Sequence, residues 1–283
     1  MKPSERVWSV QLASLEDQDL VEGLLESASW QHRHLDWAHP GDLLGQAPYL
    51  LALDEGLPAA CLAAPPDPEG VSWLRLFAVA SGYELEAVWQ DMWTRAAPAA
   101  AEAGAKLAAV LCLARWLPGL LAGSGFEQTD SVVFLEWAGQ APAERAGLEG
   151  LRPMVQADLE AVAELDHQAF DPIWRHSHTA LELALRQASY ATCLVRQGRM
   201  VAYQISTGSA FGGHLARLAV DPAWQGQGVA QDVVSDVLRH FATNRSPRVT
   251  VNTQASNQRS LRLYERLGFG RTEQVFPVFE KAL

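Results

Sequence analysis

Val220-Asp-Pro-Ala-Trp-Gln-Gly-Gln-Gly-Val-Ala230 is the stretch on which the fold turns. It follows an apolar, strand-like run, His214-Leu-Ala-Arg-Leu-Ala-Val220. It precedes a segment with apolar residues at 229, 230, 233, 234, 237, 238 and 241. That spacing predicts a helix over 229–241. Glycine lets successive backbone N–H groups converge without interference from a Cβ. With a helix N-terminus behind Gly226 and Gly228, and no acid in the helix before Asp232, those donors form a cradle for a phosphate or pyrophosphate. A Walker loop would need Gly-Lys-Ser/Thr, which does not follow Gly228. A dinucleotide fingerprint would need a third small residue where Gln231 stands. It would also need an acid about twenty residues on, where the chain reads Ser246-Pro-Arg-Val. Both readings fail.

A second pattern lies about thirty residues downstream. Val249-Thr-Val-Asn-Thr253 is rich in β-branched residues and reads as a strand. Asn257-Gln-Arg-Ser260 then opens a short helix that continues through Leu261-Arg-Leu-Tyr264-Glu-Arg-Leu267 and stops at Gly268-Phe269, with glycine as the residue past the helix end. Gln225-x-x-Gly228-x-Ala230 after a strand resembles the acyl-CoA loop of the GNAT superfamily of N-acetyltransferases. Asn257-x-x-Ser260-x-x-x-Tyr264-x-x-x-Gly268-Phe269 is similar to that family's second motif. The combined resemblance covers roughly residues 149–283.

The chain of 283 residues is long enough for about two domains. At 48% apolar residues it can bury a core without membrane help. Met1-Lys-Pro-Ser-Glu5 is followed by no apolar run of the secretory type. The most apolar region, 96–123, is cut by Glu102, Lys106, Arg115 and two prolines, so no membrane span is expected. Cys61, Cys112 and Cys193 stand singly in apolar surroundings, which suggests reduced thiols in a cytoplasm and no metal site. Residues 1–150 hold 8 Lys/Arg against 21 Asp/Glu, and residues 151–283 hold 14 against 12. An acidic first half argues against nucleic acid as a partner, whose binding depends on neutralising phosphates. The more basic second half suits a polyanionic cofactor.

The two halves read as a repeat. Asp19-Leu20 and Asp158-Leu159 each open an amphipathic helix after a short strand. Leu74-Arg-Leu-Phe-Ala-Val79 parallels Leu215-Ala-Arg-Leu-Ala-Val220, and Gly125-Phe126 parallels Gly268-Phe269. The small, polar segment 140–150 reads as a linker between 1–139 and 151–283. The expected fold is α/β (α+β): two tandem GNAT-like domains, each a mixed, mostly antiparallel sheet flanked by helices. The layout, with the active copy second, is also similar to that of the mycothiol synthase family. The first copy lacks the Gly-x-Gly turn, carries Glu84 and Glu86 where a pyrophosphate would sit, and has Ala114 and Leu121 where Asn257 and Tyr264 stand. Its expected roles are scaffold, homodimer surface, or one wall of the acceptor pocket.

The resemblance implies acetyl transfer from acetyl-CoA to a primary amine, of a small molecule or a peptide N-terminus, in a ternary complex. It assigns the pyrophosphate to the amides of Gln227, Gly228, Val229, Ala230 and Gln231, with Gln225 and Gly226 as further cofactor-binding residues of the loop. The pantetheine arm falls to the strand at Leu218, Ala219 and Val220, with Asn257 and Ser260 as further cofactor contacts. The thioester oxygen needs a donor, expected from a backbone N–H near Leu218. Tyr264 is the expected proton donor to the departing thiolate; the competing reading is a core tyrosine packed with Leu261 and Leu267. His214 is the expected base, against an ordinary hydrogen-bonded strand histidine or a water chain. Two His/Trp clusters, 30–39 and 167–178, follow the first helix of each half, and the family's acceptor cleft borders this region. Trp174, His176 and His178 are therefore the expected acceptor-side residues. The alternatives are a non-catalytic acyl-CoA sensor and an interaction scaffold.

Overall fold

The computed structural model describes residues 7–139, 142–143, 148–210, 212–242 and 248–283. It contains two compact units, Met1–Thr129 with Phe276–Leu283, and Asp130–Val275. The units do not follow the 1–139 and 151–283 division read from the sequence, and most of the 140–150 linker lies outside the described residues.

The first unit begins with β1 (Ser9–Leu12), α1 (Gln18–Ser27), β2 (Trp30–Arg33), β3 (Tyr49–Asp54) and β4 (Leu57–Ala63). It continues with β5 (Val71–Trp73), β6 (Leu76–Val79), α2 (Leu85–Glu102), β7 (Leu107–Leu111) and α3 (Leu117–Gly123). One sheet has the order β1-β3-β4-β6-β2, all antiparallel. β5 pairs parallel with β7. The next strand, β8 (Glu127–Ala138), enters the second unit. There its residues 132–138 pair with β13 (Arg248–Gln254).

The second unit holds β9 (Leu151–Pro153), α4 (Leu159–Ala169), α5 (His178–Gln187), β10 (Tyr190–Arg196), β11 (Arg199–Ser209) and β12 (Gly212–Val220). After these come α6 (Val229–Ala242), β13 and α7 (Gln258–Arg266). Its strands run β9-β10-β11-β12-β13-β8, antiparallel except for β12 with β13. β14 (Gly270–Ala282) begins here and ends in the first unit, where Val278–Ala282 pair with β7. The last strand of each sequence half is thus paired with the other half, which moves the unit boundaries to 129/130 and 275/276. α6 covers the sheet with Val233, Val234, Val237, Leu238 and Phe241, all buried, so the apolar spacing that predicts the helix also explains its docking.

β12 carries the decisive irregularity. Ile205 pairs with Arg217 but Ser206 pairs with Leu215, so Ala216 is the extra residue of a β-bulge. Its parallel register with β13 covers only Gly213, His214 and Leu215. Beyond the bulge β12 stays on β11 and parts from β13, which leaves an opening between them.

The first unit repeats this split and then closes it. β5 and β6 together correspond to β12, broken at Leu74-Arg75. β5 lies parallel to β7, as the start of β12 lies on β13. β6 stays on β4, as the end of β12 stays on β11. The outer edge of β6, however, is taken by β2, with Trp30 opposite Val79 and Arg33 opposite Leu76. His32 reaches the break itself, where Nε2 lies 3.2 Å from the Leu74 carbonyl. Because a carbonyl only accepts, Nε2 carries the proton.

His32 is 1% exposed, and burial pushes its pKa down to about 4, with the Leu74 hydrogen bond opposing. Unfolded, it titrates at an ordinary 6.5. The stability it contributes is therefore complete above pH 6.5 and is lost as pH falls toward 4. The expected loss at pH 5 is about 2 kcal/mol. Urea unfolding followed by tryptophan fluorescence at pH 7.5 and 5 checks this. A drop in midpoint that His32→Gln fails to reduce would assign the acid sensitivity elsewhere.

Candidate active site

The open edge of β12 is defined by alternation. The Asp221 N–H donates to the Val201 carbonyl on β11 at 2.9 Å, so the backbone of Ala219 also faces β11. Leu218 and Val220 turn their N–H and C=O groups to the opposite side, where β13 has left. The Val220 carbonyl there accepts from Gln225 Nε2 at 2.9 Å. This ties the first residue of the loop to the edge and leaves the N–H groups of Leu218 and Val220 directed into the opening.

The loop itself is built by glycine. Asp221 caps the turn Pro222–Trp224 by accepting from the Ala223 N–H at 2.8 Å and pairs with Arg199 at 2.9 Å. Gly226 (φ +78°) and Gly228 (φ +87°) take left-handed conformations that other residues adopt only under strain. The first α6 bond runs from the Asp232 N–H to the Gly228 carbonyl, 3.0 Å. The N–H groups of Val229, Ala230 and Gln231 therefore have no intrahelical acceptor, and a glycine at the cap position brings no side chain to serve them. The Gln227 amide turns back to the Ala223 carbonyl, 3.0 Å. A Cβ added at Gly228 would meet nothing within 4 Å, so the space beside this helix end is open. This arrangement fits an anion.

α7 closes the other wall. The Asn257 side chain caps it by accepting from the Ser260 N–H at 3.1 Å. Tyr264 is 5% exposed and packs with Leu261, Val251 and Phe269, its ring 5.5 Å from that of Phe269. Leu218 packs on the same cluster. Burial raises the Tyr264 hydroxyl above its ordinary value, so it stays protonated across the neutral range. The structure thus brings Leu218, Val220, the 225–231 loop, Asn257, Ser260 and Tyr264 into one neighbourhood.

His214 is not part of it. It sits in the section of β12 still paired with β13, opposite Thr250, at the far end from Val220. Its Nδ1 lies 2.9 Å from Thr250 Oγ1, its ring stacks near Phe134, and burial lowers its pKa. It lines a cavity of about 230 Å³ with Thr207, Ser209 and Arg248, away from the opening. The histidine lacks the contact with the opening that the base role needs.

The segment of Trp174 and His176, expected to border the acceptor, is held by a pair that sequence reading missed. Asp166 on α4 is fully buried and accepts from Tyr203 Oη, from Arg217 Nε at 2.8 Å and from the His176 N–H at 2.8 Å. Arg217, the β12 residue after the bulge, also donates to the Trp174 carbonyl at 2.7 Å and lies 3.5 Å over the Phe170 ring. Trp174 and His176 are thus fixed relative to β12 through their backbone, whereas His178 is the exposed first residue of α5. Asp166→Ala leaves the Arg217 cation buried without its partner and is expected to destabilise the unit by about 3–5 kcal/mol. The double variant Asp166→Leu/Arg217→Met should be less destabilised than the single one when urea midpoints are compared. A single-variant loss under 1 kcal/mol would show that water reaches the pair.

Residues 159–269 match the model of the Acetyltransferase (GNAT) family. Over these residues the second half of this chain is similar to the GNAT family. It contains the bulged β12, the loop and α7. N-alpha-acetyltransferase MAK3 of Arabidopsis thaliana is 32% identical over 66 residues, which make up 23% of this chain and only 35% of that protein. Among solved structures, a GCN5-related N-acetyltransferase from Sphaerobacter thermophilus is similar over 99% of this chain and 96% of its own, with TM-score 0.62 and 15% identity. A tandem GNAT protein from the clavulanic acid biosynthesis pathway is similar over 98% of both chains, with TM-score 0.65 and 14% identity. At these identities the structures show fold alone. That fold is the tandem GNAT arrangement. Among the described residues no group of three or more His, Cys, Asp or Glu is placed to hold a metal, and no helix is long and apolar enough to cross a membrane.

Proposed function

We propose that the chain is an acetyl-CoA-dependent N-acetyltransferase acting on a primary amine of a small molecule or a peptide N-terminus, with one active GNAT domain. The observation that carries this reading is the conjunction of the parted β12 edge with the unserved N–H groups of 229–231. A thioester arm and an anionic tail need these two features, spaced along one strand and one helix. Acetyl-CoA supplies an activated acyl thioester, and the chain's residues do the rest. The N–H groups at the α6 N-terminus hold the pyrophosphate. The backbone at Leu218 and Val220 pairs with the pantetheine amides, and the Leu218 N–H donates to the oxygen that gains charge in transfer. Tyr264 Oη, protonated at neutral pH, donates to the sulfur as it leaves. The amine approaches past the segment anchored by Arg217, and it loses its proton to water.

The first unit supports this assignment by contrast. Its equivalent edge is paired with β2, its next helix starts with Glu84 and Glu86, and a fully buried Leu121 corresponds to Tyr264. Calorimetry with acetyl-CoA is expected to give one site per chain, and an amine panel is expected to show acceptor-dependent release of free thiol. Two sites of similar affinity would overturn the single-domain reading. Binding without thiol release from any amine would favour a sensor.

A further inference from the structure

The cradle has a charge deficit. Residues 222–231 contain no Lys, Arg, Asp or Glu, and Asp221 beside them is neutralised by Arg199. A helix N-terminus is equivalent to about half a positive charge, whereas a pyrophosphate diester carries two negative charges. A full cation is needed nearby, and α7 brings one. Arg259 Nη1 donates to Gln225 Oε1, and its Nη2 lies 3.8 Å from where a Cβ on Gly226 would stand. Among the described residues Arg259, like Arg175, Arg186, Arg262 and Arg266 of this unit, has no carboxylate partner, and of these five it is the one whose guanidinium reaches Gln225 and the space over Gly226.

Given the reading of 225–231 as an acyl-CoA cradle, we propose that Arg259 is a ligand of the donor's pyrophosphate and thereby restricts the donor to CoA-type thioesters over pantetheine thioesters that lack it. Holding Gln225 is too small a task for the guanidinium, because the other end of that amide is already fixed on the Val220 carbonyl. The α7 N-terminus does not compete for the phosphate, since Asn257 caps it. A planar guanidinium over Gly226 offers the forked donors that phosphate oxygens accept, and its exposed position lets it turn from Gln225 to the ligand.

Dissociation constants of acetyl-CoA, acetyl-dephospho-CoA and acetyl-pantetheine, measured by calorimetry on the full chain, test this. Arg259→Gln should weaken the first two equally, by about 10- to 100-fold, and leave acetyl-pantetheine unchanged. Arg259→Lys should recover part of the loss. An equal loss for all three ligands would mean that Arg259 only shapes the loop and would overturn the proposal. A loss for acetyl-CoA but not acetyl-dephospho-CoA would place the contact on the 3′-phosphate and overturn it too. Unchanged binding of all three would remove Arg259 from the site while leaving the cradle intact. Failure of the wild type to bind acetyl-CoA would instead sink the cradle reading, and this inference with it.

Discussion

Gly228→Glu is expected to abolish acetyl-CoA binding, raising the dissociation constant by more than about 100-fold. Two effects add. At φ +87° any side chain is strained, by about 1–2 kcal/mol. A side chain at this position also enters open space, so the fold tolerates it and the carboxylate can turn onto the N–H groups of 229–231. There it would satisfy the donors and repel the phosphate they are meant to hold. Gly228→Ala separates the terms, because it keeps the strain and omits the charge; it should bind measurably, though more weakly than wild type. Calorimetry on both variants checks the order. Wild-type affinity in the glutamate variant would show that the anion does not sit at this helix end.

Tyr264→Phe is expected to lower kcat by about 10²–10⁴-fold while acetyl-CoA affinity changes little. The ring keeps its place against Phe269 and within the Leu261–Val251 cluster, and only the hydroxyl is removed. The split between kcat and affinity is the informative result, because a packing tyrosine would lose both or neither. The measurement is turnover with a saturating amine under conditions where chemistry is rate-limiting. Undiminished turnover there would leave Tyr264 as a core residue and transfer proton delivery to solvent.

The parts of the site that sequence reading found are those written in consecutive residues. A turn with two left-handed glycines, a helix with a 3.6-residue apolar period, and Asn257, Ser260 and Tyr264 at fixed offsets each leave a local trace. What it missed depends on partners distant along the chain. Asp166 and Arg217 are separated by 51 positions, and neither looks unusual among its neighbours. Arg259 stands inside the quoted motif, yet only its contact across to Gln225, 34 positions away, gives it meaning. His214 carries the right chemistry on the right strand, but which part of that strand parts from β13 is decided by the bulge at Ala216. A bulge has no single-residue signature. In the first half, Trp30-Gln-His32-Arg33 reads as half of a His/Trp cluster. Four residues of mixed polarity do not announce that they will lie along the edge of β6.

The pairing of β14 with β7 has a consequence for how the protein is made. A chain leaves the ribosome from its N-terminus, and a domain whose strands are consecutive can fold as soon as it emerges. The first unit does not have that option. Its β7 is synthesised well before the strand segment 278–282 that lies against it, which follows about 170 residues later. At roughly 5–20 residues per second, the interval between Thr129 and Phe276 is on the order of ten seconds or more. Through that time one edge of β7 offers unpaired backbone groups and apolar side chains to whatever is near, which is the condition under which nascent chains aggregate or recruit chaperones. The first unit, whose early strands are translated ahead of the second unit, is therefore completed only after the second unit has emerged.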